Sequence, residues 1–90
     1  DKVTKVKAKA KKGKIDVSWK KYKKASGYIV YRAESKYGVY DEFAVVKKNS
    51  FKDNYSVKGR KFYYKVRAFK NKGDGKILSG ISKKASVKAK

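Results

Sequence analysis

The sequence predicts an all-β chain, a seven-stranded antiparallel β-sandwich, and three observations carry that expectation. Between Gly59 and Phe69 apolar and polar residues alternate strictly, with Phe62, Tyr64, Val66 and Ala68 on one face and Tyr63, Lys65 and Arg67 on the other. Period-two alternation of aromatic and branched side chains is what a half-buried strand requires. The same period returns in several shorter runs, separated by turn signals at Gly13, Gly27, Gly38, Gly59 and Gly73. No stretch repeats its apolar residues at the helical spacing of three and four.

Each element follows in chain order. Lys5 to Ala10 alternates lysines with Val6, Ala8 and Ala10, and a Lys-Lys-Gly-Lys turn at Gly13 leads into Ile15, Val17 and Trp19. These read as two strands joined by a hairpin turn. Lys20 to Gly27 reads as a loop holding one aromatic, Tyr22. Tyr28 to Ala33 is a third strand, with Tyr28 and Val30 on one face and Ile29 and Tyr31 on the other. The turn around Gly38 precedes a fourth strand, Phe43 to Lys47, and a short one is expected at Phe51 before a connection through Asp53 and Val57. After the strand from Lys61 to Phe69, residues 71–75 read as a loop, and Ala85, Val87 and Ala89 mark the last strand.

Composition narrows the function. Ninety residues make one domain, 1–90, with a modest core. The chain starts at Asp1 and contains no Met, so it is expected to be excised from a larger multidomain protein. No apolar run approaches the length that spans a bilayer, and no membrane insertion is expected. Neither Cys nor His occurs, which removes disulfides, thiolate nucleophiles, imidazole bases and the usual zinc or haem ligands. The carboxylates Asp16, Glu34, Asp41, Glu42 and Asp53 form no recognisable motif, Ser18 and Ser26 have no base, and the glycines form no phosphate cradle. No enzymatic activity, metal or cofactor is expected.

The 28 basic residues outnumber the 7 acidic ones, for a formal net charge of +21, and such a field attracts polyanions. Only Arg32, Arg60 and Arg67 are arginines. Base readout favours the guanidinium fork, whereas lysines act as point charges, so sequence-specific nucleic-acid binding is not expected.

Three strands resemble a known family. Val17-Ser18-Trp19, then Gly27-Tyr28-Ile29-Val30-Tyr31-Arg32, then Gly59 with Phe62-Tyr63-Tyr64-Lys65-Val66-Arg67-Ala68, resemble strands B, C and F of a fibronectin type III domain, an immunoglobulin-like sandwich. The similarity covers nearly the whole chain and is greatest to the Lys-rich modules of Gram-positive bacterial surface and secreted proteins. The resemblance implies that Trp19 packs beside Tyr28 and that the domain sits in a tandem array, in an extracellular or cell-surface protein. Two features depart from the family. Phe62 stands where a tyrosine usually ties its hydroxyl back to the backbone, and proline is absent.

The function expected is therefore a non-catalytic spacer or adhesion module with a basic exterior suited to anionic surfaces. Its partners would be neighbouring domains and, beyond them, anionic cell-wall polymers, glycosaminoglycans or other glycans. A carbohydrate- or polyanion-binding module is the alternative, using a face where Ile29, Tyr31, Tyr63, Lys65 and Arg67 lie side by side, because rings beside cations suit sugars or anions. Ordinary cross-strand pairing accounts for the same residues. Lys72-Gly73-Asp74 falls, by the resemblance, in the loop where some family members carry an adhesive tripeptide, although Gly and Asp are also common turn formers. A further alternative is a subunit of an extracellular assembly pairing through strand edges.

Overall fold

The computed structural model describes all 90 residues and contains eight strands: β1 (Lys7–Lys11), β2 (Lys14–Ser18), β3 (Gly27–Ala33), β4 (Asp41–Val46), β5 (Ser50–Asp53), β6 (Lys61–Lys72), β7 (Gly75–Leu78) and β8 (Ala85–Lys88). One sheet has the order β1-β2-β5; the other runs β4-β3-β6, with β7 and β8 both paired to β6. Every strand pairing is antiparallel.

The expected alternation places the core. Trp19, Tyr28, Val30, Phe62, Tyr64 and Val66 are buried in one cluster with Val3, Ile15, Val17, Ala68 and Ala89. Trp19 and Tyr28 meet edge to face at 5.3 Å between ring centroids, the arrangement the ring quadrupoles favour. The Tyr28 hydroxyl also accepts the Tyr22 amide at 2.9 Å, which fixes the connection between β2 and β3 to the core. At Gly27 a Cβ would lie 2.7 Å from the Phe69 ring and 3.0 Å from the Val46 carbonyl oxygen, so only glycine lets β3 start beside β6.

Several boundaries differ from the sequence expectation; β4 begins at Asp41 and not at Phe43. The first strand begins at Lys7 because Lys5 takes a left-handed φ of 58°, a conformation that breaks extension. The preceding residues instead run beside the β7–β8 connection, where Lys2 bridges to Gly80 and Val3 is buried. The strand count is eight, not seven, because Gly75–Leu78, where no strand was expected, also pairs with β6. The expected loop at 71–75 is a tight hairpin: β6 continues to Lys72, which pairs with Gly75 across Gly73-Asp74. Gly73 has φ +56° at the first turn position, where type II′ hairpins place glycine.

The break between β7 and β8 does not leave β6 without partners. Ser79 and Ser82 donate their amides to the Ala68 and Val66 carbonyls, each at 2.9 Å. Their hydroxyls accept the Ala68 and Val66 amides at 2.9 and 2.8 Å. Serine oxygens thus take the place of backbone carbonyls where the chain bulges away, so buried amides stay satisfied.

Replacing Trp19 by Ala removes a ring that is 4% exposed and is expected to cost about 3 to 5 kcal/mol. Chemical denaturation checks this, and a variant as stable as the parent would refute the core assignment.

Candidate binding face and the polar knot beneath it

The register of β3 against β6 sets Ile29 opposite Arg67, Tyr31 opposite Lys65 and Ala33 opposite Tyr63. Alternation turns all of these away from the core, so Tyr31, Tyr63, Lys65 and Arg67 do share one outward face, with the two tyrosines diagonal to each other. The face is not an open aromatic platform. Tyr63 is 7% exposed, while Tyr31, Lys65 and Arg67 are half-buried. Tyr40, from the connection between β3 and β4, lies over this surface: the Lys65 ammonium sits 4.4 Å from its ring centroid. Burial, and next the neighbouring Tyr63, push the Tyr40 phenol above its ordinary pKa. Lys61 covers Tyr63 at 5.7 Å, and Lys76 covers Phe69 at 4.5 Å. The chain's own cations thus occupy ring faces of Tyr40, Tyr63 and Phe69 that a sugar could stack on, and none lies over Tyr31. Lys72, Gly73 and Asp74 form the exposed tip of the β6–β7 hairpin, remote in register from that face.

Beneath the sheet lies a polar cluster that the sequence reading did not assemble. Asp53, fully buried at the end of β5, accepts the Tyr64 hydroxyl at 2.6 Å and the Arg32 guanidinium at 2.8 Å on one oxygen. Its other oxygen accepts the Tyr55 amide at 2.8 Å. Arg32 lies between two rings, 4.1 Å from the Phe43 centroid and 4.9 Å from that of Phe62. A β-bulge in β4 makes this possible: Val30 pairs with Ala44 and Tyr31 with Glu42, so Phe43 is skipped in the ladder. Phe62 therefore contributes a ring to the cluster, while the nearby Tyr64 hydroxyl bonds a side chain, Asp53, and not the backbone.

The signal for this cluster was parity. Arg32 lies two residues beyond core-facing Val30, and Asp53 two beyond Phe51, so both charges were on inward faces. Burial is the main reason that the Tyr64 phenol is held far above its ordinary pKa; the hydrogen bond to Asp53 and its charge add to this, and Arg32 opposes them. Both Asp53 oxygens are occupied and Tyr64 is fully buried. Such a cluster fastens strands and offers no reacting atom to a substrate. Elsewhere Asp16 pairs with Lys11 at 2.8 Å and Glu34 faces Arg60 at 3.7 Å. No three acidic groups stand together in a way that could hold a metal ion.

The comparisons agree with this architecture. A scan of family models finds no match. Over 78 residues the chain is 36% identical to an amylopullulanase of Thermoanaerobacter thermohydrosulfuricus, covering 86% of this chain but 5% of that protein. Among solved structures, an Fn3-like protein from Clostridium thermocellum superposes with a TM-score of 0.85 at 22% identity, over 100% of this chain and 93% of that one. A β-1,2-glucanase from Parabacteroides distasonis superposes with a TM-score of 0.79 at 26% identity, over 97% of this chain and 13% of that one. The fold is that of a fibronectin type III domain, and the chain spans a small fraction of the curated relatives it resembles.

Tyr64→Phe leaves Asp53 short of one charge-assisted hydrogen bond and is expected to cost about 1.5 to 3 kcal/mol at neutral pH. The phenol's pKa is raised on folding, so its contribution is complete below the unfolded value of about 10 and declines as pH rises above that value. The stability gap between parent and Tyr64→Phe should therefore shrink between pH 10 and 11.5. Denaturation at several pH values measures it, and a gap independent of pH would contradict the assignment.

Proposed function

We propose that this domain is a non-catalytic spacer of a larger bacterial extracellular polypeptide, of the Lys-rich type III kind, whose basic exterior holds neighbouring domains near an anionic surface. The observation that carries this reading is a sandwich measuring 43 × 23 × 21 Å whose first and last residues are anchored at separate points on it. The first residues are pinned where the Gly80 amide donates to the Asp1 carbonyl, and the last where Ala89 exchanges two hydrogen bonds with Gly59 and Arg60. Those anchor points are separated along β6 by roughly 24 Å, at about 3.4 Å per residue, so a pull on the ends passes through the sandwich. The enzyme relatives support the placement of such a domain inside a glycoside-processing polypeptide, because each is far longer than the matching segment.

A second reading, a carbohydrate-binding module, is favoured by Tyr31, the least covered ring of the β3–β6 face, and by the glucanase likeness. An assembly subunit is opposed by the lysines along edge strand β1, which resist edge pairing.

Titration with soluble α-glucan separates the two main readings. The spacer account expects no saturable binding, and expects Tyr31→Ser/Tyr63→Ser to lower stability by about 1 to 3 kcal/mol. Saturable binding that the double variant abolishes with an unchanged melting temperature would establish the carbohydrate-binding module instead.

A further inference from the structure

The charge of this domain is not evenly spread in kind. On the five-stranded sheet three lysines are engaged with the chain's own rings, Lys65 with Tyr40, Lys61 with Tyr63 and Lys76 with Phe69, while Lys70, Lys72 and Lys88 are exposed without a ring beneath them. On the outward face of β1-β2-β5, the register sets Lys7 opposite Ser18, Lys9 opposite Asp16, Lys11 opposite Lys14, and Asp16 opposite Lys52. Five lysines there share one carboxylate, Asp16. Its pKa is lowered first by the Lys11 hydrogen bond, which burial opposes, and then by the charges of Lys11, Lys14 and Lys52. Lys7 and Lys9 have no anionic partner within ion-pair distance.

Lys7, Lys9 and Lys11 form a row at about 6.8 Å intervals, two residues per step of the strand. The row continues into a concave region. The left-handed Lys5, a backbone state costing roughly 1 to 2 kcal/mol for a residue with a Cβ, turns the N-terminal segment so that Lys2, Thr4 and Lys5 face Lys83 and Lys84. Together they line a cleft of about 500 Å³ with no carboxylate in its wall. Since β1 lies beside β8, the cleft opens at the start of the lysine row. Strain held beside converging like charges is a reason to look for an anion.

We propose that the cleft and the β1 row form one track that binds a flexible linear polymer carrying a phosphate on every repeat. This rests on the reading of the basic exterior given above and locates its contact surface. Lysine ammoniums are compact point charges suited to phosphate without sequence discrimination. A single extended chain with one charge per repeat follows a straight row, whereas sulfated glycosaminoglycans carry clustered charges on stiff disaccharides. Exposed lysines on an edge strand also prevent pairing with other chains, and the test separates that role from binding.

The probe is long-chain inorganic polyphosphate, titrated at 50 and 200 mM salt against the parent and three variants of equal charge change: Lys7→Gln/Lys9→Gln/Lys11→Gln in the row, Lys2→Gln/Lys83→Gln/Lys84→Gln in the cleft, and Lys61→Gln/Lys65→Gln/Lys76→Gln on the opposite sheet. The row and cleft variants are each expected to lose about tenfold in affinity and to flatten the log–log salt slope by about 2, since each lost contact removes about 0.7. The opposite-sheet variant should change affinity less than about twofold. Equal losses in all three would overturn the track while leaving general polyanion attraction standing. Absence of binding by the parent would overturn both. A row variant that self-associates but binds as the parent does would assign the lysines to edge protection alone, and tighter binding of heparin with the same row dependence would overturn the phosphate assignment.

Discussion

A single buried carboxylate joins the two halves of this sandwich. Asp53 belongs to β5 in the three-stranded sheet, while Arg32 and Tyr64 are direct cross-strand partners on β3 and β6 of the other. Its hydrogen bonds to both therefore run from sheet to sheet. Immunoglobulin domains of antibodies place a disulfide between their sheets; this chain has no cysteine and uses a charge-assisted contact instead. Removing a buried charge from water is costly, and the pair is tolerable because its geometry and additional donors compensate. Phe43 and Phe62 on either side of the guanidinium exclude water and add cation–π attraction.

The same physics divides the exterior. Where β6 is central to its sheet, both of its faces are apolar enough to need cover, as the burial of Tyr63 opposite Tyr64 shows. Lysine side chains provide part of it, with the ammoniums of Lys61, Lys65 and Lys76 seated over the rings of Tyr63, Tyr40 and Phe69. The narrower sheet has small residues, Ala8 and Ala10, on the inward side of β1 and lysines outward, so nothing draws those ammoniums down. One sheet consequently carries lysines seated on rings beside exposed Val45, Ile77 and Leu78, and the other carries lysines without ring contacts.

Much of this was legible. Strict alternation named the core residues of β2, β3 and β6, and the resemblance placed Trp19 against Tyr28 correctly. What stayed hidden depended on residues that local pattern does not weigh. Lys72-Gly73-Asp74-Gly75 reads equally as a loop or as a hairpin, and only the pairing of Lys72 with Gly75 decides. The exposed Gly75–Leu78 strand shows no inward face at all. A lysine at φ 58° is not signalled by composition, so the start of β1 was set too early. The shared outward face of Tyr31 and Tyr63 followed from alternation, but its cover did not, because Tyr40 reaches it from a connection. The partners of Asp53 are 11 and 21 residues away in sequence, beyond any motif spacing.

The most direct measurement of the central claim is a double-mutant cycle on Asp53→Asn and Arg32→Leu, followed by chemical denaturation. If the carboxylate and guanidinium act as one fastening between the sheets, the two substitutions should be strongly non-additive, with a coupling energy of about 2 to 3 kcal/mol. Additivity within about 0.5 kcal/mol would mean that the two groups contribute separately, and that the sandwich is held by its apolar core without them.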